Sequence, residues 1–396
     1  MESDNISNIT GDDNKVIQGL TAGRDIIIKI ADDLPPEVKK QKKALGIRIE
    51  KLVSQLNELK KFSTTRDAKT KNVEKPDNPV YHKIKWRRLI QAIKHQGCIL
   101  FIGPEISVDS GGNSLHQNFY KQLAKDFDDI DFMEDEGFFS PGADEELLYD
   151  ILDYYKDDFH KQNDIGRGIL EKLVQIPFSL TISLCPDDTI HHIFNDFDLN
   201  HQYLFFDGTK KEINMPDRNN QIIYNILGSA SENGRYIFTH ENLFNYLNDI
   251  TIPSVIKKKI QDATHFLFIG FDFNKWYNRL LLFVLDFENK QTGANRLNIE
   301  KNTIAEEFEK FIEKQFDITS VHDDYEEFIS WLIQNAKEEE GILKDLSQSF
   351  IQTNFRSLQK LSTKVCDEKK LEKLIKINKD TDSISNKIES FKQLIR

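Results

Sequence analysis

The stretch from Cys98 to Gly112 constrains this chain more than any other. Cys98 to Ile102 is an unbroken apolar run with the length of a strand buried on both faces. Gly103 breaks it. Ser107, Asp109, Ser110, Gly111 and Gly112 then lead into a helical pattern from Leu115 to Phe127. A buried strand, a Gly turn and a helix start make the opening of a nucleotide-binding α/β unit, because backbone N–H groups at such a helix start attract phosphate. Turns of this composition also join strands to helices with no ligand present, so this stretch alone does not establish one.

Two further buried strands follow the same pattern. Phe178 to Leu184 runs into Cys185-Pro186-Asp187-Asp188, and His265 to Gly270 runs into Phe271-Asp272-Phe273-Asn274 and a helix carrying Trp276, Leu280, Leu281, Leu282 and Leu285. Shorter strands are predicted over 200–207, 219–229 and 235–239. Helices are predicted from Glu241 to Leu247, Ala305 to Phe316 and Tyr325 to Ala336. Strands alternating with helices predict an α/β fold: a Rossmann-like, mostly parallel sheet with helices on both faces. Ligands of such sheets sit beyond the carboxyl ends of the strands, here Gly103, Asp187, Gly228 and Gly270. Phe119 to Phe159 is acidic and aromatic. It predicts a helical insertion over 119–165, interrupted at Gly137 to Gly142.

The flanks have a different character. Residues 1–33 read as a short β-hairpin, with strands at Val16 to Gly19 and Asp25 to Ile30. Two strands are not stable alone in water, so the hairpin pairs with a copy of itself or another protein, or else the segment is a disordered leader. In the helix of 34–63, Leu45, Ile49, Leu52, Leu56 and Leu59 form an a/d stripe. It suits a homo-oligomer, or packing on the main domain. Residues 64–80 are a polar linker, 81–335 the main domain and 336–396 a charged helical tail. Net charge is −12, yet residues 37–94 hold 17 Lys/Arg against 6 Asp/Glu. The overall acidity argues against nucleic acid as a partner. Three scattered Cys and the adjacent His191 and His192 have no metal-ligand spacing, so no metal is expected, and a reducing cytoplasm is. No apolar run has the length of a membrane span, and the polar start from Met1 to Lys15 is no signal peptide.

Four strand ends, in order, resemble sirtuins. Phe101-Ile-Gly-Pro-Glu-Ile-Ser107 resembles the family's Gly-Ala-Gly-x-Ser turn, and Ser183-Leu-Cys-Pro-Asp187 its Thr-Thr-Asn-Tyr-Asp motif. Asn225-Ile-Leu-Gly-Ser229 resembles Lys-Leu-His-Gly-Ser, and Phe268 to Asn274 the late strand-Gly motif of the bacterial sirtuin-like branch. The likeness spans residues 81–335. The leader is similar to β modules that precede effector domains in bacterial conflict systems.

The resemblance implies NAD as ligand or substrate. In the anti-phage branch it also implies hydrolysis to nicotinamide and ADP-ribose once assembly or a partner protein activates the effector. It places Gly103, Glu105, Ser107, Asp109, Gly228, Ser229, Gly270 and Asp272 around the nucleotide, and Asp187 at a ribose or a loop. The usual Asn is Cys185 here and the usual His is Leu227, so His240, and the adjacent His191 and His192, are the candidates for a displaced base. Glu105 replaces a Gly and brings a carboxylate toward the expected pyrophosphate, unless it turns outward or to a ribose hydroxyl. A domain that has lost catalysis and serves as a nucleotide sensor or scaffold is the alternative, and an unrelated nucleotide-binding α/β protein a third.

Overall fold

A computed structural model describes residues 81–346, apart from 82–83, 110, 127–131, 134–136, 140–158, 160–162, 207–212, 230–235, 251, 286–293, 302–305, 340 and 345. The expected leader, stripe helix, linker and most of the tail lie outside these residues. All the elements below belong to one compact unit, Asn72–Asp345.

The chain enters through α1 (Trp86–Lys94) and β1 (Cys98–Ile102), then a 3-10 turn (Pro104–Ile106) and α2 (Leu115–Asp126). A short antiparallel pair, β2 (Phe132–Met133) and β3 (Phe138–Phe139), precedes α3 (Asp164–Leu173) and β4 (Leu180–Ser183). Next come α4 (Thr189–Asp196), β5 (His201–Phe205), β6 (Gln221–Asn225), α5 (His240–Asp249) and α6 (Ser254–Asp262). The last elements are β7 (His265–Ile269), α7 (Trp276–Val284), β8 (Asn295–Glu300), α8 (Glu306–Phe316), β9 (Ile318–His322) and α9 (Tyr325–Lys337).

Seven strands form one sheet in the order β5-β6-β4-β1-β7-β8-β9. Every pairing in it is parallel. β1 is the centre, with Ile99 opposite Leu180 of β4 and Phe266 of β7. Side chains alternate between the two faces. Ile99 and Phe101 of β1 and Phe266 and Phe268 of β7 join one buried cluster with Leu243, Ile256, Leu281 and Ile312 of α5 to α8. The opposite face is covered by α1, α3, α4 and α9, with α9 packed on both α1 and α3. A sheet covered on both faces has no solvent side, which is why β1 and β7 are apolar at nearly every position.

The α/β architecture is therefore the one the alternation predicts. Chain order runs one way from β1 to β4 and the other way from β1 to β7, so a crevice opens beyond the carboxyl end of β1.

Details differ from the sequence reading. The segment read as a strand over 235–239 makes only isolated bridges, Tyr236 to Gly228 and Thr239 to Phe139. Thr239 and Asn242 form a capping box, which turns the chain into α5 instead of extending it. The part of the insertion that is described is not all helix. Gly137, at φ +81, turns the Phe-rich β2–β3 pair. Strands β8 and β9 and helices α4 and α6 were not anticipated.

Candidate functional site

The loops after β1 and β7 are stitched together at the mouth of the crevice. Gly103 donates its N–H to Ile269 O (2.9 Å), and Glu105 donates its N–H to Gly270 O (3.2 Å). A Cβ on Gly103 would lie 1.9 Å from Gly270 O, and Gly270 itself sits at φ +67, where a Cβ would lie 2.6 Å from Ile106 N. Ile106 and Ser107 donate their N–H groups back to Gly103 O and Pro104 O. The N–H groups of residues 103 and 105–107 are thus all engaged within the protein.

The polar side chains of this turn hold it together. Ser107 is buried, and its Oγ accepts from Asn163 Nδ2 at the start of α3 (3.1 Å). Asp109 Oδ1 accepts from the N–H groups of Gly111 (2.8 Å) and Asn113 (2.9 Å), and Oδ2 accepts from Asn118 Nδ2 (2.8 Å). These bonds, the Asn113 backbone first, hold the Asp109 carboxyl below its ordinary pKa. Gly103, Ser107 and Asp109 accordingly shape the loop from within, and Glu105 is the group that the loop presents to the crevice.

Two cavities meet at Glu105. The outer cleft, about 400 Å³, is lined by Glu105, Ser114, Gln117, Lys121, Asp272 and Glu300, among others. The inner slot, about 50 Å³, is walled by His116, Tyr120, Phe138, Leu227, Tyr277 and Asn278, among others. Glu105, Ser114 and Gln117 line both. Burial, and then the charge of Asp272, raise the Glu105 pKa, while His116, Lys275 and a Ser114 hydrogen bond oppose the rise. Burial, and again Asp272, push Glu300 up to about 8. Asn298 Nδ2 donates to Glu300 Oε2 (3.0 Å). Asp272 Oδ1 accepts from the N–H (2.8 Å) and Nδ2 (3.0 Å) of Asn274, which closes the turn after Gly270.

Behind the slot lies a buried trio. His116 Nε2 stands 3.3 Å from Asp187 Oδ2, and both side chains are almost fully enclosed. Asp187 Oδ1 accepts from the Thr189 N–H at the start of α4 (2.9 Å). Burial opposes charge on Asp187, but His116 and Thr189 outweigh it, and its pKa lies below the ordinary value. Cys185 is the third member. Burial first, and Asp187 second, push its thiol well above the usual range, so it is protonated at neutral pH.

The remaining expected residues are spread around this centre. Gly228, at φ +90, turns the chain after β6. Ser229 Oγ is hydrogen-bonded to Tyr203 OH (2.8 Å), which also accepts from Asn225 Nδ2 (3.0 Å). Asn225 Nδ2 reaches Cys185 O as well (3.3 Å), which ties the end of β6 to the loop after β4. His240, the first residue of α5, packs near Phe138, Phe244 and Trp276, and it does not figure among the residues lining the slot or the cleft. The structure thus brings Glu105 and Asp272 to the cleft and sets Asp187 and Cys185 just behind the slot. The sequence reading missed His116, Ser114, Gln117, Lys121 and Glu300. Ser114 ends the Gly-rich loop and His116, Gln117 and Lys121 follow it on α2, where a helix start beside a ligand turn is the usable signal.

Part of the chain matches a known family. Residues 187–316 match the family model described as SIR2-like domain. The match runs from Asp187 through β5, β6, β7 and β8 to the end of α8, and the loop after β1 lies outside it. No curated protein matches the chain. SIR2-like domains generally bind NAD, so an NAD-related function is the coarse reading of this region. Among the described residues, no helix is long and apolar enough to cross a membrane.

Proposed function

We propose that the domain acts on NAD, with the ADP-ribose portion in the outer cleft, the nicotinamide in the inner slot and the bond between them at Glu105. The observation that carries this reading is the shared rim: the same three residues line both cavities. The cleft's volume falls within the range of small-molecule sites, about 300–1,000 Å³. The carboxyl groups of Asp272 and Glu300 suit ribose hydroxyls, and Lys121 suits a phosphate. The loop N–H groups, engaged internally, do not serve the pyrophosphate. The slot's aromatic walls suit a flat ring, but about 50 Å³ is too small to receive one. Phe132 and Phe138 of the β2–β3 pair must therefore shift first, which fits an enzyme held inactive until assembly or a partner releases it.

In the reaction the C1′–N1 bond breaks and its electron pair returns to the pyridinium ring, which leaves as neutral nicotinamide. The C1′ oxocarbenium ion gains stability from the Glu105 carboxylate, in a site drier than water. Water then adds at C1′ and gives up a proton to that carboxylate. In this reading the chain is an effector of prokaryotic anti-phage immunity. That role and recruitment of a partner through residues 1–33 rest on the sequence resemblance, and a homo-oligomeric state rests on the hairpin pattern of 1–33 and the a/d stripe of 34–63.

A second reading is a nucleotide sensor or scaffold without turnover. The protonated Cys185 and Leu227 at the usual Asn and His positions favour it. Incubating the full chain, assembled with any partner, with NAD and following nicotinamide by chromatography separates the two, with ADP-ribose calorimetry beside it. Release supports the enzyme. Binding without release supports a sensor, and neither leaves a scaffold.

A further inference from the structure

We infer that His116, Cys185 and Asp187 form a binding site for one divalent cation of the zinc class, set in the wall behind the inner slot. Their ligand atoms, His Nε2 or Nδ1, Cys Sγ and a carboxylate oxygen, lie within 4.8 Å of one another, and all three residues are buried. One imidazole, one thiolate and one carboxylate make a borderline-soft donor set suited to Zn(II) and its stand-in Co(II). The 3.3 Å from His116 Nε2 to Asp187 Oδ2 is long for a charge-assisted hydrogen bond, which runs about 2.7–2.9 Å. It matches the edge of a tetrahedron with metal–ligand bonds of about 2.0–2.1 Å, for which the N-to-O separation is about 3.3 Å.

The supports around the trio are those of a metal site. Asp187 Oδ1 is fixed by the Thr189 N–H, which leaves Oδ2 toward His116. The Cys185 carbonyl is fixed by Asn225 Nδ2 and its N–H by Ser183 Oγ. Hydrogen bonds of this sort, made to the ligand residues by their neighbours, hold ligands in register. Binding would convert the Cys185 thiol to a metal thiolate and release one proton to solvent. It would join α2 to the loop between β4 and α4, and His116 and Pro186 would carry its effect to the slot.

Full-length protein, purified without chelators, is titrated with Co(II) and then Zn(II), in the absence of nucleotide, so the outcome stands apart from the NAD reading. The expected result is one equivalent of Co(II) with a thiolate-to-cobalt charge-transfer band that Zn(II) abolishes. Cys185→Ser should remove the band. Asp187→Asn and His116→Gln should each weaken binding by at least about tenfold while the far-UV circular dichroism is kept. Absence of stoichiometric binding overturns the site, as does a band that persists in Cys185→Ser. If one variant fails to fold, the other two carry the same test.

Discussion

Gly103 and Gly270 leave no room for a side chain on either: a Cβ on Gly103 would stand 1.9 Å from the carbonyl oxygen of Gly270. The clash is with backbone, which a rotamer change does not relieve. Gly103→Ala should therefore destabilise the fold by on the order of 3 kcal/mol. Gly270→Ala adds the cost of a left-handed backbone, about 1 kcal/mol or more, to its own contact with Ile106. Urea denaturation measures both, and a change below about 0.5 kcal/mol for Gly103→Ala would show that these loops are not joined as described.

Ser107→Ala separates loop architecture from ligand contact. Ser107 Oγ is the acceptor for the buried Asn163 Nδ2, so its removal strands a donor and should cost about 1–3 kcal/mol. Affinity for NAD or ADP-ribose, read by calorimetry on the still-folded variant, should stay within about twofold. A large loss of affinity with unchanged stability would return the hydroxyl to the ligand.

Glu105→Gln tests the carboxylate at the junction of the cavities. It keeps the shape and removes the charge. Nicotinamide release should fall about a hundredfold in kcat with little change in KM, and the part of the pH profile that depends on Glu105 ionisation should disappear. A variant that turns over at the wild-type rate rules out Glu105 as the group beside the scissile bond.

Glu300 gives a signed pH dependence. Its folded pKa, about 8, stands above the ordinary 4.5, so the folded state holds a proton that the unfolded state has lost between those values. Stability should fall as pH rises from about 4.5 to 8, because charging the carboxyl in the fold becomes a cost. Glu300→Gln should remove that slope and gain on the order of 2 kcal/mol at pH 8, a value discounted from the full shift because the cleft admits water. Parallel melting curves across this range check it, and identical slopes in the two proteins would sink it.

The centre of the sheet was plain in the residues because a strand buried on both faces must be apolar throughout, as in Cys98 to Ile102 and His265 to Ile269. β8 escaped because Asn298 and Glu300 are polar yet almost fully buried, so hydropathy gave no signal there. β9 also carries polar residues, buried Ser320 and the half-buried Thr319 and His322, which break its apolar pattern. At the site, the turns at Gly103 and Gly270 and the acid Glu105 were visible as breaks in apolar runs. His116 was not, since its partners Asp187 and Cys185 lie far along the chain and only the pairing of β1 with β4 brings α2 beside them. Asp109 and Ser107 show a related ambiguity: residues that bind a phosphate and residues that close a loop are the same types, and here their side chains bond to Gly111, Asn113, Asn118 and Asn163.

The pairing of β1 also bears on how the chain is made. Cys98 to Ile102 bonds on one side to β4 and on the other to β7, so its ladder stays open until Ile269 has left the ribosome. Among the described residues, β1 has no hairpin partner, its two neighbours in the sheet both being parallel strands later in the chain. An emerging polypeptide of this design carries a sticky strand with an unpaired edge while the residues between Ile102 and His265 are made, which favours slow maturation over rapid local folding.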